Sequence, residues 1–307
     1  MEIRDWLKKN RIGVLFGGQS AERAISLKSG QAVLKALRDA GANVVGIDAG
    51  PDVAFHIRKK RITFAYITLH GPLGEDGTMQ GLLEVMGIPY CGCGVLASAV
   101  AMDKIATKRM LDSEKLPTPR WQSLTRNEPL KTLFRPSRSH KIVVKPVSQG
   151  SAIGVSIVDS KKDLYKAIAL ASRFDSRVLI EEYIAGTEIT VGILGDRALP
   201  VVEIVPQGKF YDFDSKYRPG QSTHLIPPRL PKPVIHRVEK LALSVFQVLG
   251  CRAMARIDMI VDAQHRPWIL EANTLPGMTE TSLYPDAARA AGISFSDLVL
   301  KVIDYSK

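Results

Sequence analysis

Short apolar runs alternate with an amphipathic helical pattern over the first ninety residues of the chain. The apolar runs RIGVLFGG (11–18), ANVVGIDAG (42–50) and ITFAYITLHG (62–71) each fit one buried β-strand. Between the first two, residues from about 20 to 41 fit a helix that ends at a glycine. A strand, a helix and a second strand joined by short links favour parallel pairing. The pattern therefore predicts an N-terminal domain built on an open, parallel α/β sheet.

Two strands of this predicted sheet end in glycine-bearing segments, Gly17-Gly18 and His70-Gly71. Ligands of open α/β sheets bind beyond the carboxyl ends of the strands, so both segments are candidate site positions. Glu22 follows the first segment, where it could complement the helix dipole or hold a substrate ammonium group. His70 stands alone at its strand end, and a structural role is the more frequent one for such a histidine.

The middle of the chain has a different pattern from the first hundred residues. A helix over 103–115 leads into an irregular basic stretch that runs to Ser139. Three apolar runs follow and predict strands, at 141–146, 154–158 and 177–184. The pattern therefore changes near Met102 and again near Ile184.

The last third of the chain is rich in strands at first and then in helix. Two apolar strands come before an irregular span from Phe210 to Pro231. A long amphipathic helix, a hairpin and a final helix complete it. We therefore predict three domains, at 1–102, 103–184 and 185–307.

The hairpin near the C-terminus carries the most informative pattern in the chain. If RIDMIVD and PWILEAN are strands joined by a four-residue turn, Asp258 lies opposite Glu271, and Asn273 follows on the same face. Two facing carboxylates among apolar residues repel each other and are costly to bury. A set of oxygen ligands that includes no His or Cys suits Mg²⁺ or Mn²⁺, and such an ion can be shared with phosphate oxygens. The alternative is an exposed hairpin with solvated acids, which the apolar neighbours disfavour.

The loop KPVSQGSAIGVS (145–156) joins two predicted strands, so it is neither a Walker A loop nor a dinucleotide fingerprint. Its small residues would let backbone N–H groups approach a phosphate closely. Lys145 ends an apolar strand and is costly to bury without an anionic partner. Most loops of this composition are simple turns, but beside a basic segment and a magnesium site this one predicts a phosphate lid.

Composition narrows the class of protein. Of 307 residues, 45% are hydrophobic and 24% are charged, which is typical of a globular chain. The weakly polar run from Gly87 to Met102 is broken by proline and glycine and is too short to span a bilayer. The charged opening MEIRDWLKKN predicts no secretory signal. With three cysteines and no histidine near the Cys91–Cys93 pair, we expect neither a disulfide framework nor a zinc site.

The net charge of +11 is concentrated in one segment, because residues 104–145 hold 11 Lys or Arg and only three acids. Such a segment could face ATP, nucleic acid or solvent alone. Nucleic acid is the weakest of these, since the sequence has no RRM, KH or zinc-finger pattern. A nucleotide-binding protein without catalysis is a further rival, although Arg256 and the three residues of the predicted metal site together exceed what binding needs.

Several stretches together resemble the D-alanine–D-alanine ligase family of the ATP-grasp superfamily. They run from about residue 12 to 299 and include LFGGQSAERAISLKSG, LHGPLGEDGTMQGLLEVMGIPYCGCGVLASAVAMDK, VVKPVSQGSAIGVS, LIEEYIAGTEITVGIL, FYDFDSKY and ARIDMIVD followed by LEANTLPGMTETSLYP. The resemblance implies a three-domain ATP-grasp architecture, α/β in the N-terminal substrate domain and α+β in the two ATP-grasp subdomains. It also implies ATP-dependent ligation of two D-alanines for peptidoglycan precursor synthesis.

The resemblance implies roles for residues that match the family's motifs. At the first D-alanine, Glu22 would bind the ammonium group and His70 would orient the substrate. Ser151 and Tyr217 would join Glu22 in a hydrogen-bonded trio that holds a mobile loop shut. At the second D-alanine, the positioning residues would be Ser282 and Leu283.

Further roles follow for the nucleotide, the metal and the intermediate. At ATP, the phosphates would contact Lys104, Lys145 and Lys216, the adenine would contact Glu181, Glu182 and Ile184, and the ribose would contact Glu188. Two Mg²⁺ ions, or Mn²⁺, would be held by Asp258, Glu271 and Asn273. The oxyanion site would consist of Arg256 and the backbone N–H of Gly277.

The implied chemistry begins when the first D-alanine carboxylate attacks the γ-phosphorus of ATP, which gives an acyl phosphate and ADP. The amine of the second D-alanine then displaces phosphate. Tyr217 accompanies amine acceptors in this family, so we expect a peptide and not an ester. Ala24 and Ala152 stand where the family commonly has an acid and a second serine, which bears on affinity more than activity.

The implied partners are small molecules, with no nucleic acid and no membrane, and the implied assembly is a cytoplasmic homodimer. The alternative is a related ATP-grasp ligase with another acceptor, such as D-serine, D-lactate or a different amino acid.

Overall fold

The computed structural model describes residues 3–125, 134, 136–206 and 222–307. Its helices are α1 (Ile3–Lys9), α2 (Arg23–Asp39), α3 (Val53–Lys59), α4 (Thr78–Val85), α5 (Val95–Met102), α6 (Lys104–Ser113), α7 (Lys161–Ala171), α8 (Lys232–Val248), α9 (Leu283–Ala290) and α10 (Phe295–Asp304). Its strands are β1 (Ile12–Phe16), β2 (Val44–Asp48), β3 (Phe64–Ile67), β4 (Trp121–Thr125), β5 (Ile142–Pro146), β6 (Ser156–Val158), β7 (Arg177–Glu182), β8 (Gly186–Leu194), β9 (Arg197–Ala198), β10 (Val202–Pro206), β11 (Ser222–Leu225), β12 (Met254–Asp262) and β13 (Pro267–Asn273). Within the described ranges, these strands form three sheets.

The first sheet has the order β2-β1-β3, with both neighbouring pairs parallel. The parallel pairing predicted for the first ninety residues is therefore confirmed. β1 and β3 are almost wholly buried because helices cover the sheet. Their carboxyl ends, Phe16 and Ile67, come just before Gly17-Gly18 and His70, so both candidate segments lie at the same edge of the sheet.

The core around the first sheet also contains the end of the chain. Leu37 of α2 and Phe64 of β3 belong to one buried cluster with Ile303 of α10. The backbone N–H of Met278 donates to Ser29 Oγ on α2 at 3.3 Å. The two C-terminal helices therefore fasten the last part of the chain to the N-terminal sheet.

The second sheet is antiparallel, in the order β4-β7-β5-β6, and α7 covers one face of it. Leu164 of α7 packs with Val144 of β5 and Ile180 of β7 in a core of their own. β4 lies in a stretch that the sequence analysis treated as irregular, so that expectation was wrong. The segment WQSLT has no run of apolar residues, and it forms a strand because it pairs along the edge of the sheet.

The third sheet has the order β11-β10-β8-β12-β13, and β9 folds back onto β8. β8 and β12 pair antiparallel from Gly186–Asp262 to Leu194–Met254. Ile257 and Met259 of β12 turn inwards to Val238 and other side chains of α8. The sequence predicted α8 and the two strands of the hairpin, but it predicted one final helix where the structure has α9 and α10.

The pairing of β12 with β13 confirms that Asp258 faces Glu271, but the ladder between the two strands is not regular. Near the turn, the register is shifted by one residue from the predicted one, so that Val261 lies opposite Pro267. A β-bulge between Asp258 and Met259 then restores the predicted facing. Ile269 and Glu271 would share a face in a regular strand, and the bulge allows Ile269 to be buried while Glu271 faces the opposite side.

The cysteines form no disulfide, and Cys91 and Cys93 are buried, as expected for small packing residues. None of the described helices has the length and apolar character required to cross a membrane.

Asp262 organises the turn between β12 and β13. Its carboxylate accepts hydrogen bonds from the backbone N–H groups of Gln264 and Arg266, both at 2.9 Å, and from Trp268 Nε1 at 3.0 Å. Burial opposes ionisation of this carboxyl, but the hydrogen bonds from Trp268, Arg266 and Gln264 lower its pKa from 3.8 to about 2. The ionised form therefore stabilises the hairpin that carries the facing acids.

Replacing Asp262 with Ala should lower the free energy of unfolding by about 1–3 kcal/mol at neutral pH, because the two backbone N–H groups and the Trp268 indole lose a charged acceptor. A depressed pKa in the folded state stabilises the protein above the unfolded pKa of about 4. The difference between the two proteins should therefore narrow as the pH falls from about 4 towards 2. Urea unfolding across this pH range measures it. Asp196→Ala, at a position whose side chain is 86% exposed, is the matched control and should change little.

Candidate active site

A cavity of about 320 Å³ lies where the three sheets meet. It receives side chains from the carboxyl edge of the first sheet, from α6, from the β5–β6 loop, from β12 and β13, and from the start of α9. The predicted site residues that line it are Glu22, His70, Lys104, Ser151, Arg256, Glu271, Asn273, Gly277, Ser282 and Leu283. Residues up to 261 positions apart in sequence therefore share one cavity.

Glu22 lies at the first-sheet end of this cavity and is only 6% exposed. It occupies the N-cap position of α2, but its side chain makes no capping hydrogen bond, so complementing the helix is not its main contact. Instead, Ser151 Oγ from the β5–β6 loop donates to Glu22 Oε1. The backbone of Gly71 also approaches closely, since a Cβ there would be 2.7 Å from Glu22 Oε2. Two distant loops thus converge on one buried carboxylate.

The loop that carries Ser151 has an unusual backbone. Ser151 and Ala152 have φ values of 53° and 58°, in the left-handed region that L-residues rarely adopt, and Gly154 has a φ of 71°. Such conformations cost of order 1–3 kcal/mol each unless the surroundings hold them. The loop is thus shaped to bring the Ser151 hydroxyl to Glu22.

His70 is 7% exposed, and its Nδ1 lies 3.2 Å from Glu75 Oε1. The second oxygen of Glu75 accepts the backbone N–H of Gly71 at 2.9 Å, so the carboxylate fixes both the ring and its loop. Nε2 of His70 is buried, and it has no hydrogen-bond partner among the described residues. A buried ring nitrogen of this kind at a cavity wall suits contact with a polar ligand.

A buried cluster of charges lies behind the cavity at the second sheet. Glu181 of β7 is 2% exposed, and its carboxylate lies between Lys145, which contacts Oε1, and Lys108, whose Nζ is 2.9 Å from Oε2. Burial opposes the charge on Glu181, but the two lysines hold its pKa below the usual range. Burial also lowers the pKa of Lys108, although Glu181 opposes that shift. Lys145 therefore has the anionic partner that the sequence analysis required, and that partner is a protein carboxylate.

The facing acids of β12 and β13 are neutralised by neighbouring cations. Asp258 accepts two hydrogen bonds from Arg256, from Nε at 2.9 Å and from Nη2 at 2.8 Å, and a third from Thr190 Oγ1 at 2.6 Å. Glu271 Oε2 lies 3.6 Å from Lys104 Nζ. The sequence argument that these acids need a metal to relieve their repulsion was therefore incomplete, because Arg256 and Lys104 contribute the same relief.

The donor set fits a magnesium ion in its chemistry. Asp258 and Glu271 face each other, and Asn273 supplies an amide oxygen on the same strand as Glu271. Hard oxygen donors of this kind are the ligands that Mg²⁺ prefers. In the part of the chain that the structure describes, no group of three or more His, Cys, Asp or Glu residues could hold a metal. A metal site here would therefore rest on two carboxylates and one amide.

The far end of the cavity is formed by the start of α9. Ser282 is the N-cap residue, and its hydroxyl lies 2.7 Å from Thr279 Oγ1. Gly277 lies beside it, since a Cβ on Gly277 would be 3.1 Å from Ser282 Oγ. Leu283 begins the helix and lines the same wall.

Some predicted residues do not line this cavity. Asp258, Lys145 and Glu181 make the ion pairs and hydrogen bonds described above instead. Glu182 pairs with Arg120 at 3.2 Å, and Ile184 lies in the link between β7 and β8. Glu188 is half-buried on β8. Lys216 and Tyr217, with residues 210–221 of the predicted irregular span, fall outside the described residues.

Sequence analysis missed Lys108, Thr190 and His224. Lys108 follows Lys104 by one helical turn, which was a usable signal for a shared face. Thr190 is opposite Asp258 in the β8–β12 register, and only the sheet order reveals this pairing. His224 lines the cavity from β11, and its sequence surroundings gave no signal.

The chain matches two family models. One, described as the C-terminus of D-ala D-ala ligase, matches residues 110–304, and the other, described as its N-terminus, matches residues 48–93. A D-alanine–D-alanine ligase of Pelotomaculum thermopropionicum is 49% identical in an alignment of length 306 that covers 96% of each chain. One from Desulforudis audaxviator is 52% identical in an alignment of length 299 that covers 94% of this chain and 96% of that one.

Solved structures give the same result. The D-alanine–D-alanine ligase of Bacillus anthracis, crystallised in complex with ATP, aligns with a TM-score of 0.84 and 36% identity over 97% of both chains. A second crystal structure from the same organism aligns with a TM-score of 0.83 and 38% identity. The fold class and the resemblance found in the sequence are therefore both confirmed, and the chain belongs to the D-alanine–D-alanine ligase family.

Proposed function

We propose that this protein uses ATP to join two D-alanine molecules into D-alanyl-D-alanine, with release of ADP and phosphate. One observation carries the proposal: a single cavity brings the buried carboxylate of Glu22 together with Arg256 and Glu271. A carboxylate that can hold an ammonium group, a cation that can meet an oxyanion and an acid that can hold a metal are the parts this ligation needs. The relatives described above are named for this activity.

The first D-alanine binds at the Glu22 end of the cavity in this proposal. The buried carboxylate has an oxygen within reach of Ser151 and another close to Gly71, and it would pair with the substrate ammonium group. His70, oriented by Glu75, would hold the substrate carboxyl group from the other side. Tyr217 would complete the trio with Ser151, which favours a peptide product.

ATP binds between the second and third sheets in this proposal. Lys104 and Lys145 reach this region from α6 and β5, and the β7–β8 link that contains Ile184 joins the two sheets. Because Glu181 is buried, it would act on the adenine side of the site only through its ion pair with Lys145. Glu182 and Ile184 would contact adenine, Glu188 the ribose and Lys216 a phosphate.

Magnesium, or manganese, would be held by Asp258, Glu271 and Asn273, and two ions are proposed. When bound, such ions neutralise the charge of the phosphate oxygens. The hydrogen bonds from Arg256 and Thr190 meanwhile fix the orientation of the Asp258 carboxylate.

The reaction proceeds in two steps. The carboxylate oxygen of the first D-alanine attacks the γ-phosphorus, the bond to ADP breaks, and an acyl phosphate results. The amine of the second D-alanine then attacks the acyl carbon, and phosphate leaves the tetrahedral intermediate. Arg256 and the backbone N–H of Gly277 would stabilise the developing oxyanion, while Ser282 and Leu283 position the second substrate. Loss of one such donor typically costs about 10²–10³ in rate.

Several wider statements belong to the same proposal. The product would serve peptidoglycan precursor synthesis in the cytoplasm, and the protein would act as a homodimer. The domains would be 1–102 for the first substrate, 103–184 as the central ATP-grasp subdomain and 185–307 as the C-terminal one. The second candidate is a ligase with a different acceptor, since Ser282 and Leu283 bound the pocket where acceptors would differ.

Turnover of ATP should depend on D-alanine. The protein is supplied separately with D-alanine, L-alanine, D-serine and D-lactate, and phosphate and product are measured. D-alanine should give ADP, phosphate and the dipeptide, because the proposed site assigns different residues to each amino acid. Formation of AMP and pyrophosphate would refute the chemistry, and faster turnover of a mixture of D-alanine with D-serine or D-lactate would favour the second candidate.

Glu271→Gln should lower turnover by about 10²–10³-fold, because the proposed metal loses a charged ligand that is worth several kcal/mol. The fold should survive, since the variant keeps the volume of the side chain. Activity is measured by phosphate release and the fold by thermal unfolding. Glu280→Gln, at an exposed position just beyond the cavity, is the control. An active Glu271→Gln protein would remove the metal assignment.

Ser151→Ala should lower kcat/KM for the first D-alanine by about 10–100-fold, because a buried carboxylate loses a donor at a cost of about 1–3 kcal/mol. Steady-state kinetics at saturating ATP measures this. Ser148→Ala lies in the same loop but contacts Arg177 at 3.4 Å, so it should retain nearly full activity. Equal losses in both variants would mean that the loop matters only for its shape.

A further inference from the structure

A histidine and an aspartate pair at the α9 end of the cavity. Nδ1 of His224, on β11, lies 2.7 Å from Asp286 Oδ2, in the first turn of α9. The two side chains are 20% and 16% exposed. The backbone N–H of Asp286 donates to the Ser282 carbonyl at 3.0 Å, so the pair is attached to the turn that begins with Ser282 and Leu283. The His224 ring lines the cavity together with those two residues.

The contacts of Asp286 determine which ring nitrogen of His224 carries the proton. Arg289 Nη1 donates to the other carboxylate oxygen of Asp286 at 2.8 Å, which keeps this carboxylate an acceptor. Nδ1 of His224 must therefore be the N–H donor in the pair, and Nε2 of the neutral ring carries a lone pair. Within the described ranges, Nδ1–Asp286 is the hydrogen bond that the His224 side chain makes. A basic nitrogen is thus available at the cavity wall, in the arrangement that orients a catalytic histidine in hydrolases.

We propose that His224 accepts a proton from the ammonium group of the acceptor amino acid and that Asp286 is the positioning residue that holds its ring. The proposal rests on the proposed function, which requires an amine nucleophile. An amino acid enters as an ammonium ion at neutral pH, and its nitrogen has no lone pair with which to attack until one proton is removed.

The location of the pair supports this step over other roles. Gly277, the proposed donor to the oxyanion, lies beside Ser282, and Ser282 begins the turn that contains Asp286. The similar pair of His70 and Glu75 lies instead beside Gly71, which adjoins Glu22. Each substrate therefore has its own histidine, and His224 is the one on the acceptor side.

The proposed step is balanced in protons and electrons. One N–H bond of the ammonium group breaks, and the proton goes to Nε2 of His224. The electron pair left on nitrogen forms the bond to the acyl carbon, and the C–O bond to phosphate then breaks with its electrons on phosphate. The nitrogen loses its second proton to the departing phosphate, and the imidazolium returns its proton to solvent.

The charged groups around His224 come from several elements. Asp286 and Arg289 belong to α9, Lys28 of α2 lines the cavity, and Glu271 of β13 lines it as well. The strand partner of His224 on β10 is Ile204, which is uncharged. Asp286 stabilises the imidazolium that the step creates, since it is the charged group in direct contact with the ring.

The test compares two nucleophiles in the complete enzyme. Hydroxylamine is a neutral amine near pH 7, so it captures the acyl phosphate as D-alanine hydroxamate without needing a base. His224→Gln should lower dipeptide formation by about 10²–10⁴-fold, the usual contribution of general base catalysis. Hydroxamate formation in the presence of ATP and D-alanine should stay within about threefold of the wild type, since its nucleophile needs no general base.

Asp286→Asn should show the same selective loss with a smaller magnitude, because the amide no longer fixes the tautomer. His236→Gln, at a mostly exposed histidine that pairs with Glu239 on α8, is the matched control and should leave both products nearly unchanged. Equal losses of dipeptide and hydroxamate in His224→Gln, or an unaltered dipeptide rate, would overturn the proposal. If the wild type forms neither product from D-alanine, the proposed function itself has failed, whatever the variants do.

Discussion

The alternation of side chains along β12 is the constraint on which the site depends. Ile257 and Met259 point to the core beneath α8, so Arg256 and Asp258 must point to the other face. A strand that pairs on both sides, with β8 and with β13, has no freedom to turn over. The burial of apolar residues therefore fixes the place of the guanidinium and carboxylate groups. These two charged groups, which would be costly to bury alone, are held in place by the packing of the apolar residues beside them.

Two buried acids near the cavity have partners of opposite sign. Glu181 is held between Lys108 and Lys145, and Asp258 is held by Arg256. Removing one member of such a pair usually costs about 3–5 kcal/mol, because it leaves an uncompensated charge. The lysines that we propose to contact the ATP phosphates are thus already oriented by protein carboxylates. This order reduces the entropy that ligand binding would otherwise lose.

Much of this arrangement could be predicted from the sequence, because it depends on local patterns. The parallel first sheet, the long helix α8 and the facing of Asp258 and Glu271 all follow from periodicity and strand pairing. The β-bulge could not be predicted, since it depends on which of Ile269 and Glu271 the core can accept. β4 was not predicted either, because an edge strand needs no alternation of apolar residues. Thr190 and His224 were missed because their partners are remote in sequence and become neighbours only in the folded chain, whereas the spacing of Lys108 from Lys104 was a signal that could have been used.

The contact between Ser151 and Glu22 joins two parts of the molecule that have separate cores. Ser151 belongs to the β5–β6 loop of the second sheet, while Glu22 belongs to the first sheet, whose core includes α10. A separation of the second sheet from the first would have to break this bond, whereas each core could stay intact. The hydrogen bond therefore indicates whether the two parts are in contact, and a spectroscopic label near either residue would report a change in their separation.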